Sequence, residues 1–351
     1  MDQRTRASLA GGAIVGIFLL VQLGALAMVQ PFEAAGYRAV ENPQNPANSL
    51  VYVALILVAT ALMLLAIHYG VEGIIRAFVV VSGAYLGLYV FRIVLPPLVT
   101  VPVAGLRLNG LAWLAAIVMG AALYVHPEWY VIDVAGIVMG IGAAGLFGIS
   151  FGLLPALLLL VVLAVYDAIS VYGTEHMLTL ASGVMDLKVP VVLVVPLSLS
   201  YSYLDAEMPD PAGDGDGGTD DAAAVDGGAS DRPTDGTDTD GNGDSAAQED
   251  PLDREALFIG LGDAVIPAVL VASAAVFAPA SVPTVAGVAV PAVTAMVGTV
   301  VGLVVLIRMV LKGRAHAGLP LLNGGTIAGY LIGALASGVG LVQALGLDGV
   351  L

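Results

Sequence analysis

The sequence predicts an all-α, polytopic membrane protein of about nine transmembrane helices, and two observations carry that reading. Hydrophobic residues make up 58% of 351 and charged residues only 11%, with a mean hydropathy of +0.95. A soluble domain is usually about half apolar and roughly a quarter charged. The apolar residues also gather into runs of about 20, the length a helix needs to cross a bilayer core.

On that length rule the spans fall near 7–29, 49–69, 73–95, 108–126, 129–149, 151–172, 256–278, 285–310 and 319–345. The first follows Arg4 and Arg6, as a signal sequence would. Its run from Ala7 to Val29 is nevertheless long for a signal core and lacks a clear small-residue cleavage site, so it reads as a retained span. The fifth and sixth spans abut around Ser150 to Leu154. After the sixth, His176 to Leu204 is apolar but interrupted by Asp186, Lys188, Pro190 and Pro196. Within it Val189 to Leu199 is rich in β-branched residues and suits an extended strand, which its prolines would confine to an edge.

The net charge of −16 is almost all local. Asp205 to Glu255 holds 17 acidic residues against Arg232 and Arg254, a local net of −15. Dominated by Asp, Gly, Ala, Thr and Ser, it cannot bury enough apolar surface to order itself and is expected to be a disordered loop. Such a solvated acidic segment suits very high salt, where screening removes self-repulsion. The chain therefore divides into a six-helix membrane bundle at 1–172, a short helix-and-strand segment at 173–204, the acidic loop at 205–255, and a three-helix membrane part at 256–351.

Orientation follows from the basic residues. With the N-terminus in the cytoplasm, Arg4, Arg6, Arg76, Lys188, Arg232, Arg254, Arg308, Lys312 and Arg314 lie inside, against Arg38, Arg92 and Arg107 outside. That arrangement puts the acidic loop in the cytoplasm and the C-terminus outside.

An Asp near the centre of a bilayer costs about 2.5–3.5 kcal/mol on insertion scales, so each embedded acid needs a reason. Asp167, in Tyr166-Asp167, lies shortly before the cytoplasmic end of the sixth span. Asp263, in Gly260-Leu261-Gly262-Asp263, lies about 10 Å into the seventh from the same side at about 1.5 Å per residue. The two helices run in opposite directions, so the carboxylates reach similar depth and could face each other. Two such groups a few ångströms apart share a proton, one acting as base on a water and the other as acid toward a carbonyl. Gly260 and Gly262 remove bulk beside Asp263, although glycine is common here, at 44 residues. From depth and charge alone, a proton-relaying aspartate with no hydrolytic part remains an equal reading.

The other groups point elsewhere. With no cysteine there is no disulfide, thiolate site or cysteine nucleophile. His68, His126, His176 and His316 are scattered, without the His-Glu-x-x-His spacing of a zinc protease, and Ser150 and Ser182 lack the embedded histidine a serine protease would want. Asp133, beside His126, Glu128 and Trp129, reads as an interfacial residue, and Arg92 as one snorkelling to the outer interface.

The residues around the two aspartates resemble the presenilin and signal peptide peptidase group of intramembrane aspartyl proteases, and in particular their archaeal homologues. That family carries Tyr-Asp in its sixth span and Gly-x-Gly-Asp in its seventh, matched here by Tyr166-Asp167 and Gly260-Leu261-Gly262-Asp263. Its Pro-Ala-Leu motif at the ninth span corresponds to Pro320-Leu321-Leu322, with Leu in place of the central Ala. The likeness is strongest over 160–200 and 256–335. It implies a presenilin-like bundle in which Asp167 and Asp263 are catalytic, and Tyr166, Gly260, Leu261, Gly262, Pro320, Leu321 and Leu322 contact substrate. It also implies that a helix and strand like Thr174 to Gly183 and Val189 to Leu199 draw out an unwound segment. The expected partners are transmembrane helices of substrate proteins and the lipid bilayer, with no cofactor, metal or nucleic acid. Two rivals stay open: a proton-coupled secondary transporter, which also uses embedded acids and glycine-rich helices, and an inactive homologue that binds membrane helices without cutting them.

Overall fold

Apolar runs become helices because a backbone surrounded by lipid must pair its N–H and C=O groups within its own segment. The computed structural model describes residues 3–69, 71–103, 106–173, 192–197, 201–204, 256–310 and 317–348. The acidic loop at 205–255 and the expected helix at Thr174 to Gly183 lie outside the described residues.

Among the described residues nine apolar helices follow one another in the expected order: α1 (Gln3–Ala34), α2 (Ala47–His68), α3 (Glu72–Val94), α4 (Gly110–Val125), α5 (Trp129–Ser150), α6 (Leu153–Gly173), α7 (Leu261–Phe277), α8 (Val290–Val310) and α9 (Gly318–Ala336). Seven are long and apolar enough to cross a membrane, while α4 and α7 are shorter, at 16 and 17 residues. The ninth expected span, 319–345, ends early at Ala336. The chain turns through Gly338, whose φ of 81° favours glycine, into a one-turn helix α10 (Leu341–Ala344).

Among the described residues three two-stranded antiparallel sheets interrupt the helices: β1 (Thr100–Val103) with β2 (Leu106–Asn109), β3 (Val192–Pro196) with β4 (Ala256–Gly260), and β5 (Thr284–Val285) with β6 (Val288–Ala289). The middle pair corrects the expected start of the seventh span. Ala256 to Gly260 pairs with β3 instead of opening the helix, so α7 begins at Leu261 and Asp263 lies in its first turn rather than well inside it.

Packing relies on small residues, since lipid supplies no hydrophobic drive for helix association and close van der Waals approach must replace it. On α5, Gly136, Gly140, Ala144 and Gly148 share one face at four-residue spacing. Leu193 of β3 presses on the first, Val265 of α7 and Val21 of α1 on the second, and Ala272 of α7 on the last. Between α8 and α9 the fit is tighter still. A Cβ at Gly298 would run into the Gly325 carbonyl, one at Gly325 into the Gly298 carbonyl, and one at Gly329 into the Thr294 carbonyl. Beside this seam the buried hydroxyls of Thr299 and Thr326 bond at 2.7 Å. By contrast α2 is almost entirely surface, packing mainly on α6.

Candidate active site

The last two turns of α6, the start of α7 and the start of α9 meet at one end of the bundle. Asp167 is buried, at 6% exposure, and its Oδ2 accepts the Leu319 N–H at 3.0 Å. Asp263 occupies the first turn of α7, where the N-terminal end of the helix dipole favours a carboxylate. The neighbouring residue of α9, Gly318, lies against it: a Cβ built there would stand 3.3 Å from Asp263 Oδ2. Two consecutive residues thus border the two carboxylates, Leu319 bonding Asp167 and Gly318 facing Asp263, and Asp167 and Asp263 are within electrostatic reach of each other. One turn further along α9, Asn323 Nδ2 donates to the Leu160 carbonyl at 2.9 Å. Leu160 is two turns from Asp167 on the same helix, so α6 and α9 are tied at two levels.

The other candidate residues sort by exposure. Gly260 and Gly262 are exposed and leave a bare surface around Asp263, where a Cβ would meet only Asp263 itself or Ile266 at ordinary contact distances. Tyr166 is 37% exposed, and Leu261, Pro320 and Leu321 are half-buried. The Leu321 carbonyl packs against Gly302 of α8. Leu322 is fully buried with Ala264, Ala268 and Leu303, so it belongs to the core behind the site.

Sequence reasoning missed the part played by two acids at the start of α5. Asp133 is buried, and its Oδ1 accepts the Val194 N–H of β3 at 2.8 Å. Glu128, also buried, accepts the Ser202 hydroxyl at 2.7 Å and the Tyr203 N–H at 3.0 Å. The available signal was an acid pair five residues apart at the head of an apolar helix. Arg92, read as a snorkelling residue, has its guanidinium 5.7 Å from the Tyr37 ring centre, within cation–π range.

Glu128 gives a pH expectation. Burial pushes its carboxyl up, but the bonds from Ser202 and Tyr203, with His126 nearby, outweigh burial and hold it below the ordinary value of 4.5. A depressed acid contributes stability that is present above its unfolded value and lost as pH falls through its folded one. In a Trp113→Phe background, Trp129 emission should show a step below pH 4.5 as Glu128 takes up its proton. Glu128→Gln should abolish that step; a step unchanged in the variant would remove Glu128 as its cause.

Comparison with known proteins shows the family and the fold. The family model described as signal-peptide peptidase, presenilin aspartyl protease matches residues 15–339. The chain belongs to that family. Two solved structures of a presenilin family intramembrane aspartate protease, in C222 and P2 space groups, are similar to it. The first is 29% identical with a TM-score of 0.59, covering 93% of this chain and 99% of its own; the second is 30% identical with a TM-score of 0.57, covering 92% and 97%. No curated protein matches. By family and fold this presenilin-family chain is an aspartyl protease of the membrane-embedded kind, and its helices make it a multi-pass membrane protein.

Proposed function

We propose that the protein hydrolyses peptide bonds within transmembrane segments of other membrane proteins, using Asp167 and Asp263 to activate water. One carboxylate takes a proton from the water as it attacks the scissile carbonyl. The other, protonated, gives its proton to the carbonyl oxygen; as the C–N bond breaks, the proton taken from water passes to the leaving amine and a diol hydroxyl returns one to the second carboxylate, so no covalent intermediate forms and no metal is required. Because the pair titrates as a unit, the two parts belong to the pair rather than to fixed members. The observation that carries this reading is the contact of Gly318 and Leu319 with one aspartate each, which brings both to the head of α9.

A helical peptide bond is hydrogen-bonded and sterically covered, so the substrate must unwind before it can be cut. The edge of β4 that no strand among the described residues pairs, ending at Gly260 three residues before Asp263, offers backbone partners for the unwound strand. Tyr166, Gly260, Leu261, Gly262, Pro320 and Leu321 would contact it, with Leu322 backing them from the core. Substrate would approach laterally through lipid, beside the lightly packed α2. The membrane parts at 1–172 and 256–351 each supply one aspartate, joined by the segment at 173–204 and the acidic loop at 205–255. That loop and the N-terminus would face the cytoplasm, and the C-terminus the exterior. The test is purified protein in lipid vesicles with a tagged single-span substrate. This reading requires a cut inside the span; folded protein that leaves every substrate whole favours a carrier or an inactive homologue.

A further inference from the structure

The two-stranded sheet of β3 and β4 has two edges, and one of them is closed by a side chain. In an antiparallel pair, residues alternate between those that exchange hydrogen bonds with the partner and those whose N–H and C=O point away. Val194 faces Phe258 in register, yet its N–H bonds to Asp133, so it belongs to the outward-pointing set. Pro196, of the same parity and opposite Ala256, has no N–H to offer. Leu193 with Ile259 and Val195 with Leu257 are then the pairs that hold the strands together. By the same alternation Phe258 and Gly260 turn their backbone groups to the far side of β4, where no further strand pairs among the described residues. Five residues before Asp133, Glu128 grips Ser202 and Tyr203 just after β3. Behind the strand, Leu193 seats on Gly136, where a Cβ would come within 3.0 Å of its side chain.

We infer that Asp133, with Glu128, is a positioning residue: it caps the outer edge of β3, leaves β4 as the edge that can accept a substrate strand, and fixes the height of that edge relative to Asp263. The role rests on the proteolytic reading above. It acts through the sheet, so it sets which bond of the unwound substrate reaches the aspartates rather than the chemistry there. Without the cap, the strand pair can slide against α5, and a slide along a strand shifts the presented bond.

The test compares wild type with Asp133→Ala, Asp133→Asn and Ser273→Ala. Ser273, whose hydroxyl bonds the Phe151 carbonyl elsewhere in the bundle, controls for general destabilisation. Cleavage of a single-span substrate is read by mass spectrometry of the product ends, with KM and kcat separated. Asp133→Ala should raise KM roughly tenfold, about the worth of one charge-assisted hydrogen bond, and spread the cut over neighbouring bonds. Asp133→Asn, which still offers an acceptor oxygen, should keep the wild-type cut, and Ser273→Ala should leave the cut position unmoved. A wild-type enzyme that cuts while Asp133→Ala gives the same single product at the same KM overturns the positioning role and leaves the proteolytic reading intact. Amide exchange over Val192–Pro196 tests the cap without activity. It should quicken roughly tenfold in Asp133→Ala and stay near wild type in Asp133→Asn; equal protection in all three would overturn the inference even if no substrate were cut.

Discussion

Asp167→Asn and Asp263→Asn should each lower cleavage by about a thousandfold or more while the protein still folds. Asparagine matches aspartate in shape, and its Oδ1 can still accept the Leu319 N–H that now bonds Asp167 at 3.0 Å. The start of α9 should therefore stay in place. What is lost is a group able to take or give a proton in the transition state, worth about 10²–10⁴ in rate for a single acid or base. In the proposed mechanism the two carboxylates act on one water, so the double variant should be little worse than either single one, as for other groups that work as a unit. A single variant retaining a tenth of wild-type activity would remove that residue from the chemistry. Melting temperature in detergent separates this outcome from misfolding.

The second large effect lies away from the chemistry. Gly329→Val should destabilise the protein by several kcal/mol and cut the activity of the surviving fold by about a hundredfold. A Cβ at 329 would overlap the Thr294 carbonyl of α8, which is backbone and cannot rotate away. The helices must part, and overpacking of this kind costs about 1–3 kcal/mol, more when backbone is involved. Parting them also moves the head of α9, where Gly318 and Leu319 meet the aspartates, and a displacement of about 1 Å at a reacting centre costs on the order of a hundredfold. Gly324 supplies the contrast within one helix. Nothing lies within 4 Å of a Cβ built there, so Gly324→Ala should be nearly neutral in both measurements. Equal losses at 324 and 329 would mean that glycine flexibility, not the α8–α9 seam, is what the site depends on.

The helices were legible because crossing lipid demands long apolar runs, and the two aspartates because an embedded charge stands out and sits in distinctive surroundings. The strand β4 was not legible. Ala256 to Gly260 is as apolar as the helix that follows, and only its pairing with residues far away in sequence, across the acidic loop, makes it a strand. The β1–β2 and β5–β6 hairpins are too short to stand out from helix ends, although Ala286 and Gly287, both at positive φ, carry the signature of a two-residue turn. The partner of Asp133 was hidden because the sequence displays its neighbours His126 and Trp129 but not the strand lying over it. The contact of Leu319 with Asp167 is made by a backbone amide and has no residue signature. The α8–α9 seam did have one, in Gly298 and Gly302 facing Gly325, Gly329 and Gly333. It was diluted by a chain that holds 44 glycines.

The central claim is that an aspartate pair at the head of α9 adds water to a peptide bond inside a substrate's membrane span. It is tested most directly by digesting a single-span substrate in lipid with the purified wild-type protein, in water enriched in ¹⁸O, and weighing the products. The account predicts a new carboxyl terminus within the span that carries one solvent oxygen, and no such product from Asp263→Asn. Folded wild-type protein that leaves the substrate whole, or a cut that persists in Asp263→Asn, would contradict it.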